Sequence, residues 1–142
     1  SVSPNDTCGA ALSAGRVILN IRPRKPDGAP YTAPHYRYIA ISADGSGNWE
    51  TWLEKQLPDP ACCGGMCNFP GGLLFTNCDS YISRSNHTLR KSTDDGRTWS
   101  EALLYDPLAG YSDCIYNPAT GTACVAYEHE RESELRVSEI EL

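Results

Sequence analysis

Four short stretches of the chain carry side chains suited to chemistry on an anion. One guanidinium stands in Leu19-Asn20-Ile21-Arg22 and another in Ser83-Arg84-Ser85-Asn86. A phenol stands in Gly110-Tyr111-Ser112-Asp113, and a carboxylate in Tyr127-Glu128, seventeen residues after Tyr111. Guanidiniums clamp carboxylates through paired, charge-assisted hydrogen bonds. A phenol of ordinary pKa, near 10, is a poor nucleophile at neutral pH and becomes useful when a carboxylate takes its proton. Each residue also has a plain reading. Arg22 and Arg84 can be sheet or surface residues in solvated ion pairs, and Tyr111 is one of eight tyrosines, most of which pack. Glu128 opens an acid-rich tail that continues through Glu130, Glu132, Glu134, Glu139 and Glu141. His35, His87 and His129 form neither a triad nor a metal-ligand spacing and are assigned no role.

The elements that must position these groups are strands. Helical periodicity is almost absent, and short runs rich in β-branched and aromatic residues recur between Gly, Pro, Asn and Asp turns. The pattern predicts strands near Cys8–Leu12, Arg16–Ile21, Tyr36–Ser42, Leu73–Asn77, Thr88–Ser92, Leu103–Leu104, Ser112–Tyr116, Thr122–Tyr127 and Leu135–Ile140. The segment Arg22–Pro34, with four prolines, reads as a long loop.

One repeat organises the chain. Ser92-Thr93-Asp94-Asp95-Gly96-Arg97-Thr98-Trp99 overlies Ser42-Ala43-Asp44-Gly45-Ser46-Gly47-Asn48-Trp49 at an offset of 50 residues, sharing the Ser, Asp and Trp positions. Such a period with a turn signature and a tryptophan suggests propeller blades. The Asp carboxylate accepts N–H bonds inside a hairpin corner, Gly supplies positive φ, and Trp packs between blades. Ser92, Asp94, Gly96 and Trp99 form a complete Asp box, S-x-D-x-G-x-T-W. Ser42, Asp44 and Trp49 belong to a degenerate copy in which Ser46 and Asn48 are substituted.

Bulk properties narrow the partners. The net charge of -6 argues against a nucleic-acid surface. No apolar run approaches the roughly 18 residues of a membrane helix. The polar start, S-V-S-P-N-D-T, does not resemble a signal peptide, so the targeting segment of a secreted protein would be removed or lie outside this chain. Seven cysteines and two sequons, at Asn5 and Asn86, favour a secreted or secretory-pathway glycoprotein. The cluster Cys62, Cys63, Cys67 and Cys78 lacks the second Cys or His pair that a tetrahedral zinc site wants. Disulfides are therefore expected over metal, with one thiol left over from the odd count.

With the Asp boxes, the ordered set Leu19–Arg22, Leu73–Asn77 followed by Ser83–Arg90, and Gly110–Asp113 followed by Tyr127-Glu128 resembles the sialidase (neuraminidase) superfamily. The resemblance covers roughly Asn5 to Glu130. It implies an all-β fold: part of a six-bladed propeller, with approximate blades 7–60, 61–108 and 109–142 within residues 1–142. A closed propeller needs more blades than this, so another chain or segment would complete it. It implies an exo-α-sialidase that releases terminal sialic acid from sialylated glycans without metal or cofactor, by a retaining, covalent-tyrosyl route. Tyr111 matches the nucleophile, Arg22 and Arg84 two members of an arginine triad that holds the substrate carboxylate, and Glu128 the acid that orients the arginines. Asp6, sixteen residues before Arg22, falls where the family has a Glu that pairs with the tyrosine. Cys62-Cys63-Gly64-Gly65 replaces the family's C-Q-G-S-like stretch. The shorter acid, and the sequons beside Asp6 and Arg84, leave room for a second reading: an inactive, sialidase-like propeller that binds glycans or serves as an extracellular structural module.

Overall fold

The computed structural model describes residues 3–24, 35–130 and 133–142, and the side chains of these except residues 3–5, 23 and 24. Eleven strands follow one another in three antiparallel meanders. The first sheet orders β1 (Ser3–Ala11), β2 (Val17–Arg24), β3 (Tyr36–Ser42) and β4 (Glu50–Pro58). The second orders β5 (Gly65–Phe69), β6 (Gly72–Cys78), β7 (Ser85–Ser92) and β8 (Leu103–Leu108). The third has three strands, β9 (Ser112–Asn117), β10 (Thr122–His129) and β11 (Glu134–Glu141). No α-helix occurs among the described residues.

Strand β6 explains how the sheets stack. Its run Leu73-Leu74-Phe75 is buried throughout because successive side chains point to opposite faces, each covered by another sheet. Leu73 and Phe75 join Ile18, Ile39, Ile41, Leu57, Met66 and Trp99 between the first and second sheets. Leu74 joins Leu89, Val125, Tyr127 and Ile140 between the second and third. The opening strands β1, β5 and β9 lie side by side, β5 packing against both of the others. The sheets thus fan out from their first strands, as blades do from an axis.

The two Asp-box sequences form the corners between β3 and β4 and between β7 and β8. Asp94 Oδ1 accepts the Thr98 N–H at 2.8 Å and the Ser92 hydroxyl at 2.9 Å, while Thr98 Oγ1 donates to Oδ2 at 2.7 Å. Gly96 takes φ +79°, and a Cβ there would meet Ile18 Cδ1 at 2.5 Å. Trp99 is 5% exposed and packs on Phe75 with ring centroids 5.7 Å apart, in the cluster shared by the first two sheets. In the degenerate copy Asp44 Oδ1 accepts only the Ser46 N–H (2.9 Å) and the Ser42 hydroxyl (3.3 Å), and Trp49 is half-buried.

Three differences from the sequence reading have physical causes. Strand β4 was not expected because Glu50-Thr51-Trp52-Leu53-Glu54-Lys55-Gln56 is an outer strand, largely exposed and charged. Strand β5 was not expected because Gly-Met-Cys-Asn-Phe contains no β-branched residue. Arg22 lies inside a strand, since β2 runs to Arg24 and continues its pairing with β1 past the Asn5/Thr7 irregularity. The rest of the expected Arg22–Pro34 loop, 25–34, falls outside the described residues.

Candidate active site

Tyr111 stands at the entrance to β9, and hairpin pairing brings Glu128 to it. In the β9–β10 register Ser112 opposes Tyr127, so the residues flanking that pair, Tyr111 and Glu128, also face each other. Two bonds clamp them: the Tyr111 N–H donates to Glu128 Oε2 at 2.8 Å, and the Glu128 N–H donates to Tyr111 O at 2.9 Å. Gly110 is required here by space, because a Cβ would lie 2.7 Å from Glu128 Cβ. The clamp fixes the backbone and leaves the phenol free, with Tyr111 39% exposed.

Arg84 reaches the same phenol from the second sheet. Its guanidinium carbon lies 4.8 Å from the Tyr111 ring centroid, a cation–π contact. The loop before β7 presents it through a serine-bonded turn, in which Ser80 Oγ accepts the N–H of Ser83 at 3.2 Å. The Asp79 N–H donates to Asn86 O at 2.8 Å and closes the base of that loop.

Arg22 and Asp6 make a second pair. Arg22 Nη1 lies 2.6 Å from Asp6 Oδ2, with the arginine side chain 11% exposed and the carboxylate 38%. The Nη1 hydrogens are not aimed at an acceptor, so the contact is Coulombic rather than a directed hydrogen bond. Asp6 occupies the irregularity in the β1–β2 register, the local widening that lets a short side chain turn toward Arg22.

The segment Cys62-Cys63 lies between the two pairs. A hydrogen bond from Cys78 lowers the Cys62 thiol pKa against the effect of burial, and the charges of Arg84 and Arg22 add to the lowering. Burial raises the Cys63 thiol, as does the charge of Asp6, with Arg37 and Arg22 opposing. Both arginines and the Asp6 carboxylate therefore act on one short stretch of chain. Beneath it sits Arg37, fully buried, which donates to Asn20 Oδ1 (2.6 Å), Asp59 Oδ2 (3.1 Å), Cys62 O (3.0 Å) and Asn20 O (3.3 Å). Arg37 is scaffold, and so is Arg90, which is 3.0 Å from Asp79 Oδ1.

The structure thus brings Tyr111, Glu128 and Arg84 into contact, and Arg22 with Asp6. The carboxylate of Glu128 meets the tyrosine backbone, and no ion pair between Glu128 and an arginine occurs among the described residues. The acid partner of Asp6 is Arg22. Asn86 is exposed with φ 59°, while the Asn5 side chain lies outside the described residues.

Two features escaped the sequence. His87, fully buried, has its Nε2 3.1 Å from both the Gly110 N–H and Glu128 O, so it props the two strands that carry Tyr111 and Glu128. Burial lowers its pKa, and Nε2 of the neutral ring either accepts from the Gly110 N–H or donates to Glu128 O, according to its tautomer. Its sequence neighbours, Ser85-Asn86 and Thr88, are polar and gave no signal of its burial. The expected disulfides are also absent among the described residues, where all seven cysteines are free thiols. No cluster of three or more metal-binding side chains occurs among the described residues. Among the described residues no helix is long and apolar enough to cross a membrane.

No family model matches the chain. It is similar to a curated sialidase of Micromonospora viridifaciens, 33% identical over 132 residues, covering 78% of this chain and 19% of that protein. Among solved structures it resembles the Hadza microbial sialidase Hz136, with TM-score 0.78 and 21% identity over 98% of this chain and 28% of that one. It also resembles the NanB sialidase from Streptococcus pneumoniae, with TM-score 0.72 and 13% identity over 99% of this chain and 23% of that one. The chain therefore spans between 19% and 28% of the length of these three relatives, and its three sheets form part of a propeller of this kind.

Proposed function

The chain belongs to the sialidase superfamily, and from that premise we propose that it is the C-terminal part of an exo-α-sialidase that releases terminal sialic acid by way of Tyr111. The observation that carries this reading is the exposed Tyr111 ring, clamped through its backbone by Glu128 and covered on one side by Arg84 at 4.8 Å. A guanidinium beside an exposed phenol places an anion clamp next to a nucleophile. The anomeric carbon of sialic acid bears a carboxylate that would repel an Asp or Glu nucleophile and leaves a neutral phenol unopposed.

In this reaction the Tyr111 oxygen attacks the anomeric carbon, the leaving alcohol departs, and water then opens the tyrosyl intermediate with overall retention. Arg22 and Arg84 hold the substrate carboxylate, and Glu128 positions Tyr111. Asp6 accepts the phenol proton once substrate draws Arg22 away from it. The remaining blades, a further arginine and an acid/base carboxylate would come from polypeptide beyond these three sheets, each of which we read as a blade or part of one. Sialylated glycans outside the cell, a secreted location and a glycan on Asn86 fit this role.

A second reading is favoured by one contact. Asp6, a methylene shorter than the Glu of the resemblance, is paired with Arg22. If it stays there, the site binds sialic acid without turning it over. A fluorogenic sialoside assay on the complete protein, wild type against Tyr111→Phe, separates the two. Turnover that collapses in Tyr111→Phe supports the hydrolase. A wild type that binds sialic acid with no turnover overturns it in favour of the binding module.

A further inference from the structure

Four thiols outside the proposed chemistry are drawn together in two pairs. Cys62 and Cys78 are 1% and 0% exposed and share a small cluster with Ala109. Both point at one acceptor, Gly110 O, at 3.0 Å from Cys62 Sγ and 3.4 Å from Cys78 Sγ. Independent contacts fix both backbones. The Cys62 N–H donates to Asp59 Oδ1 at 2.9 Å and Cys62 O accepts from Arg37, while Cys78 O accepts from Asn77 Nδ2 at 3.1 Å. Two sulfurs that bond the same oxygen from pinned backbones lie near each other, and a disulfide requires them to close to about 2.05 Å.

We propose that Cys62 and Cys78 form an intrachain disulfide directly beneath Gly110, made by exchange with a small-molecule or protein disulfide oxidant. The Cys62 thiolate attacks one sulfur of the oxidant, giving a mixed disulfide and releasing one thiol. Cys78 gives its proton to solvent, and its thiolate attacks Cys62 Sγ and releases the second thiol. The pair loses two electrons and two protons, and the oxidant disulfide is reduced to two thiols. Since both sulfurs are buried in the folded protein, exchange occurs while the chain folds, in an oxidising compartment.

A separate observation carries a second link of the same kind. Cys67 on β5 and Cys114 on β9 bring their sulfurs to 3.7 Å across the boundary between the second and third sheets. Their disulfide would staple those sheets together close to the axis.

Peptide mapping of the full-length wild type tests both links without relying on a variant that folds poorly. The protein is purified from an oxidising secretory host without reductant, and its free thiols are blocked with N-ethylmaleimide in denaturant. The chain's one methionine, Met66, separates Cys62 and Cys63 from Cys67 and Cys78, so cyanogen bromide divides the cluster in acid, where exchange stops. Chymotrypsin then cuts after Phe75 to part Cys67 from Cys78. The expected result is a Cys62 peptide joined to a Cys78 peptide, two hydrogens lighter than the separate thiols, and Cys67 joined to Cys114. The Cys62–Cys78 link should persist in Cys63→Ser. Recovery of Cys62 and Cys78 mainly as maleimide adducts, or of Cys78 joined to Cys63, overturns the first link; adducts on Cys67 and Cys114 overturn the second.

Discussion

Glu128 offers the sharpest test of how the site is built, because charge and hydrogen-bond acceptance can be separated there. Its Oε2 accepts the Tyr111 N–H at 2.8 Å, and its own N–H returns a bond to Tyr111 O at 2.9 Å. Glu128→Gln keeps an acceptor oxygen in the same place and removes only the charge. A charge-assisted hydrogen bond contributes about 1.5–3 kcal/mol and a neutral one about 0.5–1.5 kcal/mol. The swap therefore weakens the clamp by about 1 kcal/mol, a roughly fivefold loss in kcat. Glu128→Ala removes the acceptor, leaves the Tyr111 N–H unpaired and frees Gly110-Tyr111 to shift. A displacement of about 1 Å at a nucleophile costs on the order of 100-fold. Steady-state kinetics with a fluorogenic sialoside on the complete protein, alongside melting curves for each variant, read the difference. If Gln proves as damaging as Ala, the carboxylate acts through its charge on the arginines, as the resemblance implied, and the clamp argument fails. A rise in KM with kcat unchanged would likewise point to substrate binding rather than nucleophile placement.

Two further predictions concern the scaffold. Arg37→Met strands the buried Asp59 carboxylate and two acceptors of Asn20, and should destabilise the protein by about 3–5 kcal/mol in equilibrium denaturation; a loss below about 1 kcal/mol would show that Asp59 finds another partner. His87 has a folded pKa lowered by burial, and its Nδ1 has no hydrogen-bond partner. On acidification the unfolded chain therefore takes up this proton first, near pH 6.5. The stability that the neutral ring contributes is complete above that value and is lost as pH falls from there through the lower folded pKa. Melting temperatures of the wild type should fall as the pH drops below about 6.5, and the fall should be shallower in His87→Gln; identical profiles would remove His87 from the account.

What the sequence made legible follows from the range of the interactions. Strand and corner signals are local: β3 was read to the residue at Tyr36–Ser42, and in the Ser92–Trp99 corner Asp94 bonds Ser92 and Thr98 within seven residues. The Tyr111–Glu128 partnership was half legible. A hairpin joins residues seventeen apart in register, so their proximity was readable, but which atom the carboxylate would meet was not. Contacts between sheets left no mark on the pattern. Arg84 over Tyr111, His87 under Gly110 and the two thiols on Gly110 O each join the second sheet to the start of the third.

All of these contacts between sheets involve Gly110 or Tyr111, which suggests why the chemistry would sit there. A residue placed just before a blade's opening strand, as Tyr111 is before β9, is held by its own sheet through the backbone and by the neighbouring sheet through side chains. Its position then depends on the packing of two blades rather than on one loop. The same dependence means that a substitution far from the phenol, such as one that disturbs the Leu74–Val125 contact surface between those sheets, should reach Tyr111 through the tilt of the third sheet against the second.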